Sequence, residues 1–153
     1  MSAADRVPVP ARGALAYQVL EDGRVVERVA GANVVVLGMY PALAAALAGA
    51  VDGRVVYLGV GAGNADPTPA DVSLTHPVFV PLLGASANGL DVTFRWEIGR
   101  ADANGIQILE FGLFTAGGAM IARKTRTAPI AKTPRLTLRG AWTLTFAPPK
   151  SPT

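Results

Sequence analysis

The chain contains no cysteine. Disulfides, thiolate metal sites and cysteine nucleophiles are therefore excluded, and packing, hydrogen bonds and charge must hold the fold. Histidine is nearly as scarce: His76 stands alone, without a second imidazole to start a metal set, and is read as structural. Ser2, Ser73, Ser86 and Ser151 occupy no Gly-x-Ser-x-Gly setting, which removes the nucleophile elbow of the α/β-hydrolases. No apolar run is long enough to cross a bilayer; the longest, Val34 to Val51, is interrupted by Gly38, Pro41 and Gly49. Met1-Ser-Ala-Ala-Asp-Arg6 lacks the apolar segment of a secretory leader, so a soluble protein made in a cytoplasm is expected.

Acidic residues are missing from one end. Residues 1–110 carry a net charge of −4, whereas residues 111–153 contain no Asp or Glu and carry +7. Arg123, Lys124, Arg126, Lys132, Arg135 and Arg139 are the resulting interaction candidates, expected to present a basic face to an acidic neighbour or to the acidic half of a second copy. A nucleic-acid partner is not favoured, because no exposed aromatics interleave with these bases.

Apolar residues, by contrast, make up 50% of the 153, and 17 Gly and 12 Pro punctuate them. That mixture suits short strands and tight turns in a single domain. A mean hydropathy of +0.34 points to apolar surface covered by partners, and so to a homo-oligomer.

Residues 1–12, with Pro8 and Pro10, read as an extended arm, residues 13–147 as one β domain and residues 148–153 as a Pro-rich tail. Ala14 to Leu20 and Arg24 to Val29 flank Asp22-Gly23, a hairpin signal. Asn33 to Leu37 reads as a separate short apolar run. Pro41 to Gly49 is the one helix, with Leu43 and Leu47 expected to face the sheet. Arg54 to Val60 and the edge segment Pro77 to Leu83 bracket a loop rich in Gly and Pro. Val92 to Ile98 alternates; Ile106 to Phe114, apolar on both faces, is expected to be central; Ala119 to Thr125 and Leu136 to Phe146 follow turns. The expected fold is mainly β: a β-sandwich or jelly-roll-like domain of eight or nine strands with one short helix.

Candidate chemistry is thin. Glu97 and Glu110 could pair as glycosidic carboxylates, but Glu97 alternates outward beside Arg95, where a cross-strand ion pair is expected. Glu110 interrupts an apolar strand and is read as a buried carboxylate satisfied by an arginine or backbone donors. Gly59-Val-Gly-Ala-Gly63 lacks the spacing and following helix of a nucleotide loop, and its glycines are read as positive-φ positions. Asp66 and Asp71 are too sparse for calcium. No catalytic residue, cofactor or metal is assigned.

Five blocks together carry a resemblance: Leu58-Gly-Val-Gly-Ala-Gly63; Pro67-Thr-Pro69 with Leu74; Val92-Thr-Phe94; Glu110-Phe-Gly-Leu-Phe114; and Gly118-Ala-Met-Ile-Ala-Arg123. In this pattern the chain resembles the N-terminal attachment module of phage tail-collar and tail-fibre proteins, and short stand-alone phage proteins, over roughly residues 30–146. The resemblance implies a non-enzymatic virion structural protein that binds other virion proteins in the tail, collar or fibre attachment. It also marks Glu110, Gly112, Gly59 and Gly61 as fold-defining. The family's long trimeric shaft has no counterpart before Thr153, so an adaptor or collar component is expected, with a capsid decoration (cement) protein as the alternative. A carbohydrate-binding β-sandwich is a further alternative, weakened because Trp96 and Trp142 fall on apolar faces.

Overall fold

A computed structural model describes residues 11–147. Pro8, Pro10, most of the expected N-terminal arm and the tail at residues 148–153 lie outside the described residues. The chain forms β1 (Ala11–Glu21), β2 (Arg24–Val35), α1 (Met39–Leu47), β3 (Val55–Gly61), β4 (Val78–Pro81), β5 (Gly84–Asn88), β6 (Asp91–Ile98), β7 (Gln107–Thr115), β8 (Met120–Ala131) and β9 (Leu136–Phe146). It is mainly β, with nine strands and one α-helix among the described residues. No helix among them is long and apolar enough to cross a membrane.

The strands form one curled, antiparallel sheet in the order β4-β3-β7-β8-β2-β1-β9-β6-β5. Its two edge strands, β4 and β5, are consecutive in the chain. They are joined through Leu82, whose N–H reaches Val56 O at 2.8 Å, and Leu83, whose N–H reaches Arg95 O at 2.8 Å. The sheet therefore folds back on itself and buries one face, as in a β-sandwich. Across that interior Phe111 of β7 meets Tyr17 of β1, with ring centroids 4.9 Å apart, and Trp96 of β6 at 5.9 Å.

Local sequence accounts for many of the turns. Asp22 (φ 49°) and Gly23 (φ 83°) both take the left-handed conformation that a two-residue hairpin requires, and Asp-Gly is the pair that tolerates it best. Gly49 (φ 79°) ends α1: its N–H bonds Ala46 O and that of Ala50 bonds Ala45 O, the paired closure of a Schellman cap.

Three expectations are corrected. Asn33 to Val35 is not a separate run but the end of β2, which pairs with β1 as far as Asn33 and with β8 at Val34 and Val35. The helix buries Met39 and Ala42, while Leu47 stands 82% exposed, so Leu43 and Leu47 do not share a buried face. The reason is close approach: a Cβ at Gly53 would lie 2.6 Å from Ala42 O, so the alanine side of α1 rests on the turn at Val51–Gly53. Strand β5 was absent from the sequence reading.

Gly140 interrupts the apolar alternation of β9 for a visible reason. A Cβ there would lie 2.6 Å from Trp96 Cζ2 and 2.5 Å from Ala16 O, so the indole packs where that side chain would project. Trp142, one register step away, is fully buried and donates its Nε1–H to Asn33 Oδ1 at 2.8 Å. With Trp96 buried as well, neither indole offers a stacking platform to a sugar. Replacing Gly140 with Ala is expected to cost about 1–3 kcal/mol by displacing Trp96, read as a lower midpoint in chemical denaturation at unchanged slope.

Candidate functional site

Glu110 sits in β7 between β3 and β8, where both faces of the strand are covered, and it is 1% exposed. An ionised carboxylate there is tolerable only if its lone pairs are occupied. Oε1 accepts from Arg123 Nε at 3.0 Å, and Oε2 accepts from the backbone N–H of Gly63 and, at 2.8 Å, that of Thr75. Arg123 in turn donates from Nη1 to Ala65 O and to Asp71 Oδ2, each at 2.9 Å. One buried pair thus holds the segment after β3, residues 62–77, at both ends and in its middle.

The glycines follow from this geometry. None of Gly59, Gly61 and Gly63 has positive φ, which corrects the sequence reading; they are needed for close approach. A Cβ at Gly61 would lie 2.7 Å from both Glu110 Oε2 and Thr75 O. Gly59 and Gly112 are register partners, and a Cβ at either would strike the ring of Phe114, at 2.6 and 2.8 Å. That ring belongs to a second, small core with Val36, Leu74 and Met120, in which the segment contributes Leu74.

Asp71 closes the segment on itself. It accepts from the Thr68 N–H and from Thr68 Oγ1, both at 2.9 Å. The Thr68 N–H holds its carboxyl below the usual 3.8, with the Thr68 hydroxyl and Arg123 adding to the effect against the opposing influence of burial. Both Asp71 oxygens are engaged by Thr68 and Arg123, and no group of three or more potential metal ligands occurs among the described residues. His76 is exposed, in a left-handed conformation (φ 46°) before Pro77.

The expected basic face is not there as such. Arg123 and Lys132 are 4% and 1% exposed and cannot meet a partner. Lys132 Nζ donates to Asn104 Oδ1 at 2.8 Å, Thr133 O at 3.0 Å and Arg100 O at 3.4 Å, which fastens the β6–β7 loop; burial pushes its pKa below 10.5. Arg126 pairs with Glu27 at 2.9 Å and donates to Tyr17 OH at 2.6 Å. Arg135 pairs with Asp22 at 2.7 Å and Glu21 at 3.2 Å. Lys124 Nζ reaches Ala32 O at 2.8 Å, and Arg139 Nε reaches Gln18 Oε1 at 3.0 Å. Three of these six bases, Arg123, Arg126 and Arg135, pair with acids from the first 110 residues, and Lys124, Lys132 and Arg139 bond neutral oxygens. Glu97 faces Arg139 across β6 and β9 and forms no ion pair with Arg95.

Sequence reasoning identified Glu110 and Gly112 but not the partners Asp71, Gly63 and Thr75. One signal was available: Thr68-Pro-Ala-Asp71 has the Ser/Thr-x-x-Asp/Glu spacing of a reciprocal side-chain and backbone closure.

Glu110→Ala leaves the buried Arg123 guanidinium with Asp71 as its one carboxylate partner and removes the acceptor of the Gly63 and Thr75 N–H groups, and is expected to cost about 3–5 kcal/mol in denaturant unfolding. The double variant Glu110→Leu with Arg123→Met should cost less than the sum of the single changes, since neither charge is then stranded. Asp71 supplies a pH dependence of known sign. Its folded-state pKa lies below the unfolded one, so its stabilisation is present above 3.8 and is lost as pH falls through the folded value. The gap in unfolding midpoint between the native chain and Asp71→Asn should therefore be full well above pH 3.8 and narrow progressively as pH falls below it. Comparison with known proteins places the chain in no family: no family model, curated protein or solved structure matches it.

Proposed function

We propose that this chain is a non-enzymatic structural protein of a tailed-phage virion, a tail, collar or fibre-attachment component that works by contact with other virion proteins. The observation that carries the reading is the placement of polar and apolar side chains. Glu110, Arg123 and Lys132 are buried and bonded within the fold, whereas Leu47, Val72, Val51 and Leu37 stand 82%, 77%, 67% and 59% exposed. These three charged groups are thus committed to holding the scaffold, and apolar side chains are left for partners.

The exposed residues are also placed for contact. Leu37 and Val51 flank α1, Leu47 ends it, and the Leu37 N–H bonds Pro69 O, which brings the segment carrying Val72 alongside. The phage reading itself rests on the five sequence blocks, three of which are joined by hydrogen bonds. Glu110 of the Glu110-Phe-Gly-Leu-Phe114 block bonds Arg123 of the Gly118-to-Arg123 block, and it also bonds Gly63 of the Gly-rich block.

The test is location and copy number. Antibody labelling of purified particles in the electron microscope is expected to mark the tail or collar, at about three to twelve copies set by ring symmetry. Labelling spread over the shell would instead make it a decoration protein. Absence from purified particles would contradict the virion reading altogether.

A further inference from the structure

The outward face of β2, β1, β9 and β6 is ordered in rows by strand register. One row runs Arg28, Gln18, Arg139 and Glu97. The next is Ala30, Ala16, Ala141 and Arg95, and the one after it is Ala32, Ala14, Thr143 and Thr93. A last row sets Arg12 of β1 beside Thr145 and Asp91. The small side chains leave an open groove of ≈ 680 Å³ whose rim includes Arg28, Gln18, Arg95, Glu97 and Arg139.

The four arginines of this face are spread over its four strands, Arg28 on β2, Arg12 on β1, Arg139 on β9 and Arg95 on β6, whereas both acids, Glu97 and Asp91, lie on β6. Among the described residues, Arg28 and Glu97 have no hydrogen-bond or ion-pair partner. We propose that this face binds the same face of a second copy, about a two-fold axis that runs parallel to the strands between β1 and β9. This deepens the assembly reading and rests on it.

The operation exchanges β2 with β6 and β1 with β9. Arg28 then faces the second copy's Glu97, and Glu97 the second copy's Arg28. Ala16 meets Ala141 in both directions, and Arg139 meets Gln18, the group it already bonds within its own chain. A self-complementary patch of this kind is what an isologous dimer requires. In the two middle rows, alanine and threonine on β1 and β9 let the two sheets approach to about 10 Å, with the long Arg139 and Arg12 at the ends of these strands' outward rows.

The area is adequate. β1 and β9 are 11 residues each, or about 37 Å long, and four strands about 4.8 Å apart give a width of about 19 Å. The footprint is thus about 700 Å² per copy, close to the roughly 800 Å² of a stable interface. An acidic peptide would meet the arginines but set like charge against Glu97 and Asp91, whereas the second copy places an arginine opposite Glu97 at both ends, so the second copy is the better complement.

The experiment is a charge exchange on the full chain, with molecular mass read by sedimentation over a concentration series. The native chain is expected to dimerise. R28E and E97R should each weaken the dimer by about a hundredfold or more, since each sets like charges opposite at both ends. R28E/E97R together should restore it. Both side chains are surface groups, and circular dichroism checks that each variant folds. A native chain monomeric up to about 100 µM, far above a functional dimer's dissociation constant, overturns the proposal, as does a double exchange that fails to restore the dimer. A dimer indifferent to all three variants overturns this face while leaving assembly by contact intact, which the particle labelling tests separately.

Discussion

A carboxylate in the middle of a covered strand is a liability unless donors converge on it. At Glu110 three donors do, and each comes from a different part of the chain: Arg123 of β8, Gly63 just after β3, and Thr75 just before β4. A buried pair of this sort contributes little net stability compared with an apolar replacement, but it strongly disfavours any arrangement in which one partner is missing. Its effect here is specificity. A long segment with three prolines and no regular structure is held in one position over the sheet, and Leu74 is thereby delivered to the small core around Phe114.

The glycines of the motif are consequences of that pair. Gly61 and Gly63 are small because Glu110 Oε2 lies where their side chains would be, and Gly59 and Gly112 because the Phe114 ring crosses them. Composition, loop path and buried charge therefore form one constraint. The same economy applies to the charge division along the sequence. Arg126 and Arg135 meet Glu27, Glu21 and Asp22 because the sheet sets the C-terminal strands against the N-terminal hairpin. Part of the charge asymmetry along the sequence is thus met by internal pairing.

Much of the fold could be read from local pattern. Asp22-Gly23, the alternation of β6 and β9, the two-sided apolar character of β7 and the position of Gly49 each state their structure within a few residues. Other features were invisible because they depend on distant neighbours. β2 changes partner at Asn33 and Val34 with no local sign, and β5, Gly84 to Asn88, has no apolar alternation and is a strand only through its pairing with β6. At the candidate site, Glu110 was conspicuous as a charge in an apolar run, while Asp71 lies 52 residues from the arginine it meets. Arg123 and Lys132 read as surface residues because sequence carries no record of burial for a charge whose partners come from elsewhere.

The central claim is that the Glu110–Arg123 pair makes residues 62–77 part of the rigid scaffold. Native-state hydrogen exchange at the amides of Gly63 and Thr75 tests it most directly, because both donate to Glu110 Oε2. Protection comparable to that of β7 amides is the predicted result. Exchange of both amides at the rate of an open loop, beneath a protected sheet, would contradict it.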